Sequence, residues 1–432
     1  MLNISHIFNI RYSVSRIFTF YPLFISVFLY YHAELFGLFV KLTPVASYVV
    51  AFSLFFLSIF YKNHSLSLNK WFYIGLIFLL LPFSLGIFNN WMTQDIMADF
   101  ARYFAPFLGF TSALVLFRRA EIKDLITFFY FIGFIHLCFY YVSVFSKIIS
   151  VLDGGSIVEY SKNGLDVHNL PFLLFFFSFK KKIFNRFTYL LLAGYIIGFI
   201  INPIIVMSKA RMISMIFLFI LIFLFYLNNK QRKYFSILLL ILSSFAFNFI
   251  DYQHTFSRFS NAYESYITDD YSKDASTSFR LAEIENITQT LLEKPIERFP
   301  LGLGLGALYY DTYKPLKGGV SQENFRPDGG VHHIFTVYFA YVFRYGLIGL
   351  FIYLIWLYTT YSKISSCKNE DPIFFNIISS IKLYFLVSLV ADIFVPVYVY
   401  GNFSFGFILA LGVIIASKSK YYKFGLNYKN EK

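Results

Sequence analysis

The chain has 432 residues, of which 58% are apolar and 14% are charged, and its formal net charge is +13. Soluble proteins carry about 25% charged residues, so the composition argues against a soluble multidomain protein. The basic excess does not indicate a nucleic-acid-binding protein, because Lys and Arg cluster beside apolar runs, where anionic lipid headgroups attract them.

Apolar runs recur along the chain at a length of about 16–22 residues, which crosses a ~30 Å hydrocarbon core. They predict an all-α, polytopic integral membrane protein with about twelve transmembrane helices. The first run follows Arg11 and Arg16 and has no small-residue cleavage site after it, so we interpret it as an uncleaved span. The predicted spans are 17–31, 42–61, 71–88, 102–117, 125–145, 165–179, 187–207, 212–228, 234–250, 340–361, 373–392 and 402–417.

The distribution of Lys and Arg predicts the orientation of these spans. With the N-terminus in the cytoplasm, most basic residues of the connections lie on the cytoplasmic side, as the positive-inside rule requires. We therefore expect a multi-pass protein of a bacterial inner membrane with both termini in the cytoplasm. Residues 1–250 hold helices one to nine, 251–332 form a large periplasmic loop, and 333–432 hold the last three helices and a cytoplasmic tail.

The large loop contains a predicted amphipathic helix over 276–295, which begins at Ser and Thr residues and ends at Pro295. Its apolar positions have helical spacing, so we expect it to rest on the membrane surface or on the helix bundle. Arg280 lies in the expected first turn, where the helix dipole disfavours a cation. Either an anionic ligand binds it, or it is solvated or paired with a neighbouring carboxylate, namely Asp269, Asp270 or Glu283. The apolar positions are Leu281, Ile284, Ile287, Leu291 and Leu292.

Glycines alternate with leucines over residues 300–306. A glycine-rich loop can cradle a phosphate, but the Lys-Ser/Thr ending of such loops is missing here. The pattern favours a flexible or tightly turned loop.

His332 and His333 precede a long apolar helix that contains Arg344. A helix over 333–361 would span about 43 Å, which exceeds the ~30 Å core. Its first ten or so residues therefore stand above the core, lie in the interface or form a re-entrant element. A His in this place acts either as a general base or as an interfacial structural group. Arg344 must snorkel or face the bundle.

Lys209 and Arg211 lie in a short outer connection, against the basic-inside rule. Arg is suited to bidentate phosphate contact, whereas interfacial anchoring is the alternative role. Cys138 and Cys367 lie apart, so we expect neither a disulfide nor a metal or redox motif.

Taken together, these features resemble the O-antigen polymerase and O-antigen ligase superfamily. The family has a Ser-x-Arg-like turn, similar to Ser208-Lys-Ala-Arg211, and a late periplasmic loop. That loop opens on an Arg-headed helix followed by Pro and a Gly-x-Gly run, as in Arg280 through Gly304. It closes on a His-Asn-x-Phe/Tyr motif, similar to 332–335, before a Gly-Leu-Ile-Gly helix, as in 346–349. His333 stands where the family has Asn, and the gap to Gly346 is about three residues longer than the ligase spacing.

The resemblance implies a metal-independent, inverting glycosyl transfer between undecaprenyl-diphosphate-linked glycans on the outer face of the membrane, with no cofactor. On this basis His332 and Arg280 are the expected catalytic residues, and Arg211, His333 and Arg344 are expected to bind substrate. Arg211 and Arg280 would bind the diphosphate, and His332 would orient or deprotonate the acceptor hydroxyl.

The departures from the ligase pattern favour an O-antigen or capsular polysaccharide polymerase. A ligase that transfers finished polymer to a lipid A core is one alternative, and a lipid-linked oligosaccharide flippase or another transporter is a second. The expected partners are membrane lipids, a chain-length regulator and a flippase, and nucleic acid is not among them.

Overall fold

In the residues that it describes, the computed structural model consists of helices joined by loops. It describes residues 68–117, 275–294, 298–313, 316, 328–334, 336–367, 372–394 and 403–419, with positions 133, 134, 137, 138, 140–142, 145, 190, 191, 193–198, 220, 236, 260, 261 and 264. The β-pairing in this part is an isolated antiparallel bridge between Tyr309 and Val331. The helices are α1 (Leu68–Phe88), α2 (Thr93–Leu116), α3 (Ala275–Leu292), α4 (Arg298–Leu301), α5 (Val337–Ser365), α6 (Pro372–Phe394) and α7 (Phe403–Ser419).

Five of the predicted spans correspond to described helices, namely α1, α2, α5, α6 and α7. Within the described residues, Val337–Ser365 is the one helix that is both long and apolar enough to cross a membrane. The other spans fall largely or wholly outside the described part, so the twelve-span count and the orientation stay predictions. Helix α2 begins at Thr93, more than two turns before the predicted span at 102. The stretch of mixed polar and apolar residues before the apolar run is therefore helical.

Aromatic side chains hold α1, α2 and α5 together. Phe78 of α1 stacks on Tyr345 of α5 with ring centroids 4.2 Å apart. Phe107 of α2 lies 4.4 Å from the ring of Trp356 of α5. All four rings are buried, and aromatic pairs contribute about 0.5–1.5 kcal/mol each beyond their buried area. This cluster fixes α5 against α1 and α2.

Helix α7 packs closely on α2. A Cβ at Gly406 would overlap the backbone carbonyl of Pro106, so the two helix backbones are in direct contact there. The residues 405–416 of α7 are buried on every side, which is the pattern of a helix in the interior of a bundle.

Helix α5 is interrupted at Gly346, whose φ of 67° lies in the left-handed region. Beside the interruption, the carbonyls of Phe343 and Arg344 accept hydrogen bonds from Leu303 N (2.8 Å) and Gly304 N (3.1 Å). Residues 347–365 then span about 28 Å, which matches the hydrocarbon core. The excess length predicted for this helix therefore lies in a separate short segment, 337–345.

Helix α3 packs on the loop and on α5 through a face that is partly polar. Phe279, Ile287 and Leu291 are buried, and so are Glu283 and Asn286. Of the two placements expected for this helix, the structure therefore has it on the bundle. Because α3 begins at Ala275, Arg280 lies in its second turn rather than its first. The dipole argument for an anionic partner is correspondingly weaker.

Candidate functional site

Three charged residues share one face of α2 at its N-terminal end. Asp95, Asp99 and Arg102 are spaced by four and three residues, which places them on adjacent turns of a helix. Asp95 and Asp99 are 3% and 1% exposed, whereas Arg102 is half-buried. A carboxylate so deeply buried requires partners close by, and the loop before α5 supplies them.

The carboxylate of Asp99 joins three separate parts of the chain. Its Oδ2 lies 2.7 Å from Nε of Arg344 on α5 and accepts a 2.7 Å hydrogen bond from the backbone N–H of Gly306. Its Oδ1 lies 3.1 Å from Nε2 of His332. One side chain of α2 thus contacts α5, the glycine loop and the predicted histidine motif.

Arg344 is committed to protein groups. Its Nη2 donates a 2.7 Å hydrogen bond to the carbonyl of His332, and its Nη1 donates to the carbonyl of Ala307. The residue is 1% exposed. Of the two possibilities foreseen for Arg344, it faces the bundle. Its Nε also contacts Asp99. The guanidinium in this structure therefore stabilises the loop between α4 and α5 and does not face a ligand.

Each of the two ring nitrogens of His332 has a carboxylate nearby. Nε2 is buried against Asp99, and Nδ1 lies 3.8 Å from Oδ1 of Asp95. The second distance is too long for a hydrogen bond. The side chain is 13% exposed. Because an ionised Asp99 can only accept, the proton of a neutral imidazole belongs on Nε2, and Nδ1 keeps its lone pair.

His333 is held in the neutral state. Arg102 Nη1 lies 2.8 Å from its Nδ1, which must accept because a guanidinium only donates. Burial, followed by the charge of Arg102, lowers the pKa of His333 to about 4. At neutral pH its Nε2 therefore carries the proton and can donate a hydrogen bond. The two adjacent histidines thus have different chemistry.

A buried carboxylate on α3 fixes the other side of the loop. Glu283 accepts hydrogen bonds from the hydroxyl of Tyr309 (3.0 Å) and from both N and Oγ1 of Thr336 (2.9 Å each). Burial and the neighbouring Glu283 raise the pKa of the Tyr309 hydroxyl far above its usual range. Thr336 is the N-cap of α5, so Glu283 caps that helix from another element. Tyr309 also pairs with Val331, which places the two histidines next to this anchor.

The glycine run is a tight packing loop. Gly302, Gly304 and Gly306 all have positive φ. The amides of residues 303–306 bond protein acceptors: the carbonyls of Phe343, Arg344 and Pro82, and the carboxylate of Asp99. Since those donors are engaged within the protein, the structure favours the tightly turned loop over the phosphate cradle.

The structure brings together three of the five predicted site residues: His332, His333 and Arg344. Arg280 is half-buried on α3, one turn before Glu283, and is not among the partners of Asp99. Arg211 and its neighbour Lys209 lie outside the described residues. The roles expected for Arg280 and Arg211 stay predictions.

Sequence reasoning missed Asp95 and Asp99, and it did not predict the contacts that Arg102 and Glu283 make in the site. A signal existed for the first two, since acidic residues four apart, followed by Arg102, lead directly into an apolar run. Among the described residues, no group of three or more His, Cys, Asp or Glu side chains is arranged to hold a metal ion.

Residues 194–354 match the family model described as O-antigen ligase. This match confirms the resemblance to the O-antigen polymerase and ligase superfamily that the motifs between 205 and 350 predict. It includes His332, His333 and Arg344 but not the acidic face of α2. A comparison with curated proteins gave no significant match.

Proposed function

We propose that this protein is a membrane glycosyltransferase that joins glycan repeat units carried on undecaprenyl diphosphate, as an O-antigen or capsular polysaccharide polymerase. The observation that carries the proposal is the imidazole of His332, held at Nε2 by the buried carboxylate of Asp99. This imidazole lies in the segment that matches the O-antigen ligase family. A base oriented in this way suits removal of a proton from a sugar hydroxyl.

In the proposed reaction, the acceptor hydroxyl oxygen bonds to the anomeric carbon of the donor glycan. The bond from that carbon to the diphosphate oxygen breaks, and the lipid diphosphate leaves with the bonding electrons. The hydroxyl proton passes to His332. A single displacement inverts the anomeric configuration, and because the diphosphate is already a good leaving group, no nucleotide enters the reaction.

The remaining roles follow from charge and exposure. Arg211 and Arg280 are proposed to bind the diphosphate and to stabilise the negative charge that develops on it. His333 is neutral, and its Nε2–H is proposed to donate to a substrate oxygen. Because its guanidinium is buried against protein groups, we assign Arg344 to positioning the loop instead of the substrate contact expected from the sequence.

The test replaces His332, Arg280 and Arg211 singly with Ala in cells that depend on this gene for surface polysaccharide. We expect each variant to lose the long-chain ladder on a gel, with His332→Ala the most severe. Asp311→Asn, an exposed carboxylate in the same loop, serves as a control and should keep the ladder. Wild-type ladders in all three Ala variants would refute the proposal.

A ligase is the second candidate, favoured by the match of residues 194–354 to the O-antigen ligase family model. Deleting the gene separates the two: loss of a polymerase leaves a single repeat unit on the core, whereas loss of a ligase leaves none. Purified protein in detergent, supplied with lipid-diphosphate-linked glycan, separates both enzymes from a flippase or other transporter. A transporter forms no new glycosidic bond when no membrane barrier is present.

A further inference from the structure

Asp99 connects the site to α2, a helix that is remote in sequence from the motifs of the site. It lies on α2, outside the matched segment 194–354. Its two carboxylate oxygens have different partners: Oδ2 contacts Arg344 and the Gly306 amide, and Oδ1 contacts His332. This division lets one side chain be anchored by one oxygen while it orients the imidazole with the other.

The contact determines which nitrogen of His332 is available. Nε2 is enclosed against Asp99, so the exposed part of this side chain is not at Nε2. An acceptor at Nε2 selects the tautomer with its proton on that nitrogen and leaves the lone pair on Nδ1. When Nδ1 gains a proton, the nearby negative charge of Asp99 stabilises the resulting imidazolium, as the buried Asp of a hydrolase triad does.

We propose that Asp99 is a positioning residue for glycosyl transfer, which fixes His332 so that Nδ1 receives the acceptor proton, and that Arg344 holds Asp99 in place. This inference rests on the proposed function. The O–H bond of the acceptor breaks as the N–H bond forms at Nδ1. The acceptor oxygen bonds the anomeric carbon, and the lipid diphosphate leaves with the electrons of the broken bond.

The groups that face His332 determine what a pH profile should show. They are Asp95 and Asp99 from α2, Arg344 from α5, and His333 beside it in the loop. Replacing Asp99 with Asn removes a negative charge at 3.1 Å while the positive charge of Arg344 stays. The surroundings of the imidazole therefore become more positive, and the pH profile of kcat should differ from that of the wild type.

The experiment measures kcat and KM between pH 5 and 9 (roughly the range over which His titrates) for purified full-length protein in detergent. The substrate is a lipid-diphosphate-linked repeat unit. We expect Asp99→Asn to lower kcat at least about 100-fold, in the range of a lost acid–base contribution, with little change in KM. Asp311→Asn makes the same chemical change at an exposed carboxylate of the same loop, and as the control it should keep the wild-type kcat.

A second variant distinguishes a folding defect from the loss of His332 positioning. Because Asp99→Asn leaves Arg344 buried without its counter-charge, the double variant Asp99→Asn/Arg344→Met restores charge neutrality. We expect it to be thermally more stable than Asp99→Asn alone, although Met leaves the carbonyls of His332 and Ala307 without their donor, and not to recover kcat. Recovery of wild-type kcat and pH profile in the double variant would overturn the positioning role.

The two proposals fail in different ways. If wild-type protein makes no product, or if His332→Ala keeps full activity, the proposed function is wrong. If wild type is active and His332→Ala is inactive, while folded Asp99→Asn keeps wild-type kcat and pH profile, the inference about Asp99 alone is wrong.

Discussion

His333→Asn should remove a pH dependence of stability that the structure builds into the site. Burial and Arg102 lower the pKa of His333 to about 4 in the folded protein, against about 6.5 in an unfolded chain. Between these values the unfolded chain binds a proton that the folded protein does not, so stability decreases as pH falls from about 6.5 to about 4. At about 1.4 kcal/mol per pKa unit, the full effect is roughly 3 kcal/mol.

Asn is the appropriate replacement because its side-chain oxygen can take the place of Nδ1 as acceptor for Arg102, and it does not titrate. It is also the residue that the resembling family has at this position. The assay is thermal unfolding in detergent micelles, followed by tryptophan fluorescence, from pH 7.5 to 4.5. We expect the midpoint of the wild type to fall with pH more steeply than that of His333→Asn.

Arg102→Gln provides a second comparison. It keeps a hydrogen-bond donor for His333 but removes the charge, which is the second largest cause of the lowered pKa after burial. Its pH dependence should lie between those of the wild type and His333→Asn. Equal pH slopes for the wild type and His333→Asn would refute the reasoning, because the proton uptake would then belong to other groups.

Two further substitutions test the contacts that hold the loop between α4 and α5, which carries the two histidines, against α5 and α3. Gly346→Ala should strongly reduce the yield of folded protein, because a Cβ there would overlap the carbonyl of Pro300 at a backbone φ of 67°. Gly75→Ala, where the new Cβ would only touch a ring at 3.5 Å, should behave as wild type in size-exclusion chromatography. Glu283→Ala should lower stability by about 3 kcal/mol through loss of its three hydrogen bonds. Glu285→Ala, on the exposed side of the same helix, should change the unfolding midpoint little; similar midpoints for the two Glu variants would contradict the capping role.

The described helices were largely predictable because long apolar runs carry their own signal. The predicted spans at 71–88, 373–392 and 402–417 match helices to within a few residues. The start of α2 was misplaced because residues 93–101 include Asp95 and Asp99 and fail an apolarity criterion, although they belong to the helix. The break at Gly346 was missed since it depends on the glycine loop, whose amides bond the carbonyls of Phe343 and Arg344 beside the break.

Only those site residues that lie close to one another in the sequence were predictable. His332, His333 and Arg344 stand out as polar residues at the start of an apolar helix. Asp99 contacts two of them from more than 200 residues away, and no periodicity reports such a pairing. The burial of Glu283 could not be predicted either, since it depends on donors that Tyr309 and Thr336 supply from distant parts of the chain.

The ion pair between Asp99 and Arg344 explains why the site and the loop must form together. Both residues are 1% exposed with 2.7 Å between the charged atoms, and burying either charge alone would cost several kcal/mol. The start of α2 therefore cannot pack without α5. The loop between α4 and α5 is included, because Arg344 bonds its carbonyls at His332 and Ala307 and Asp99 accepts from its Gly306 amide. The same carboxylate contacts Nε2 of His332, so the imidazole is oriented only when the loop is seated. Loop docking and orientation of the proposed base are thus one structural event, controlled by a helix outside the matched family segment.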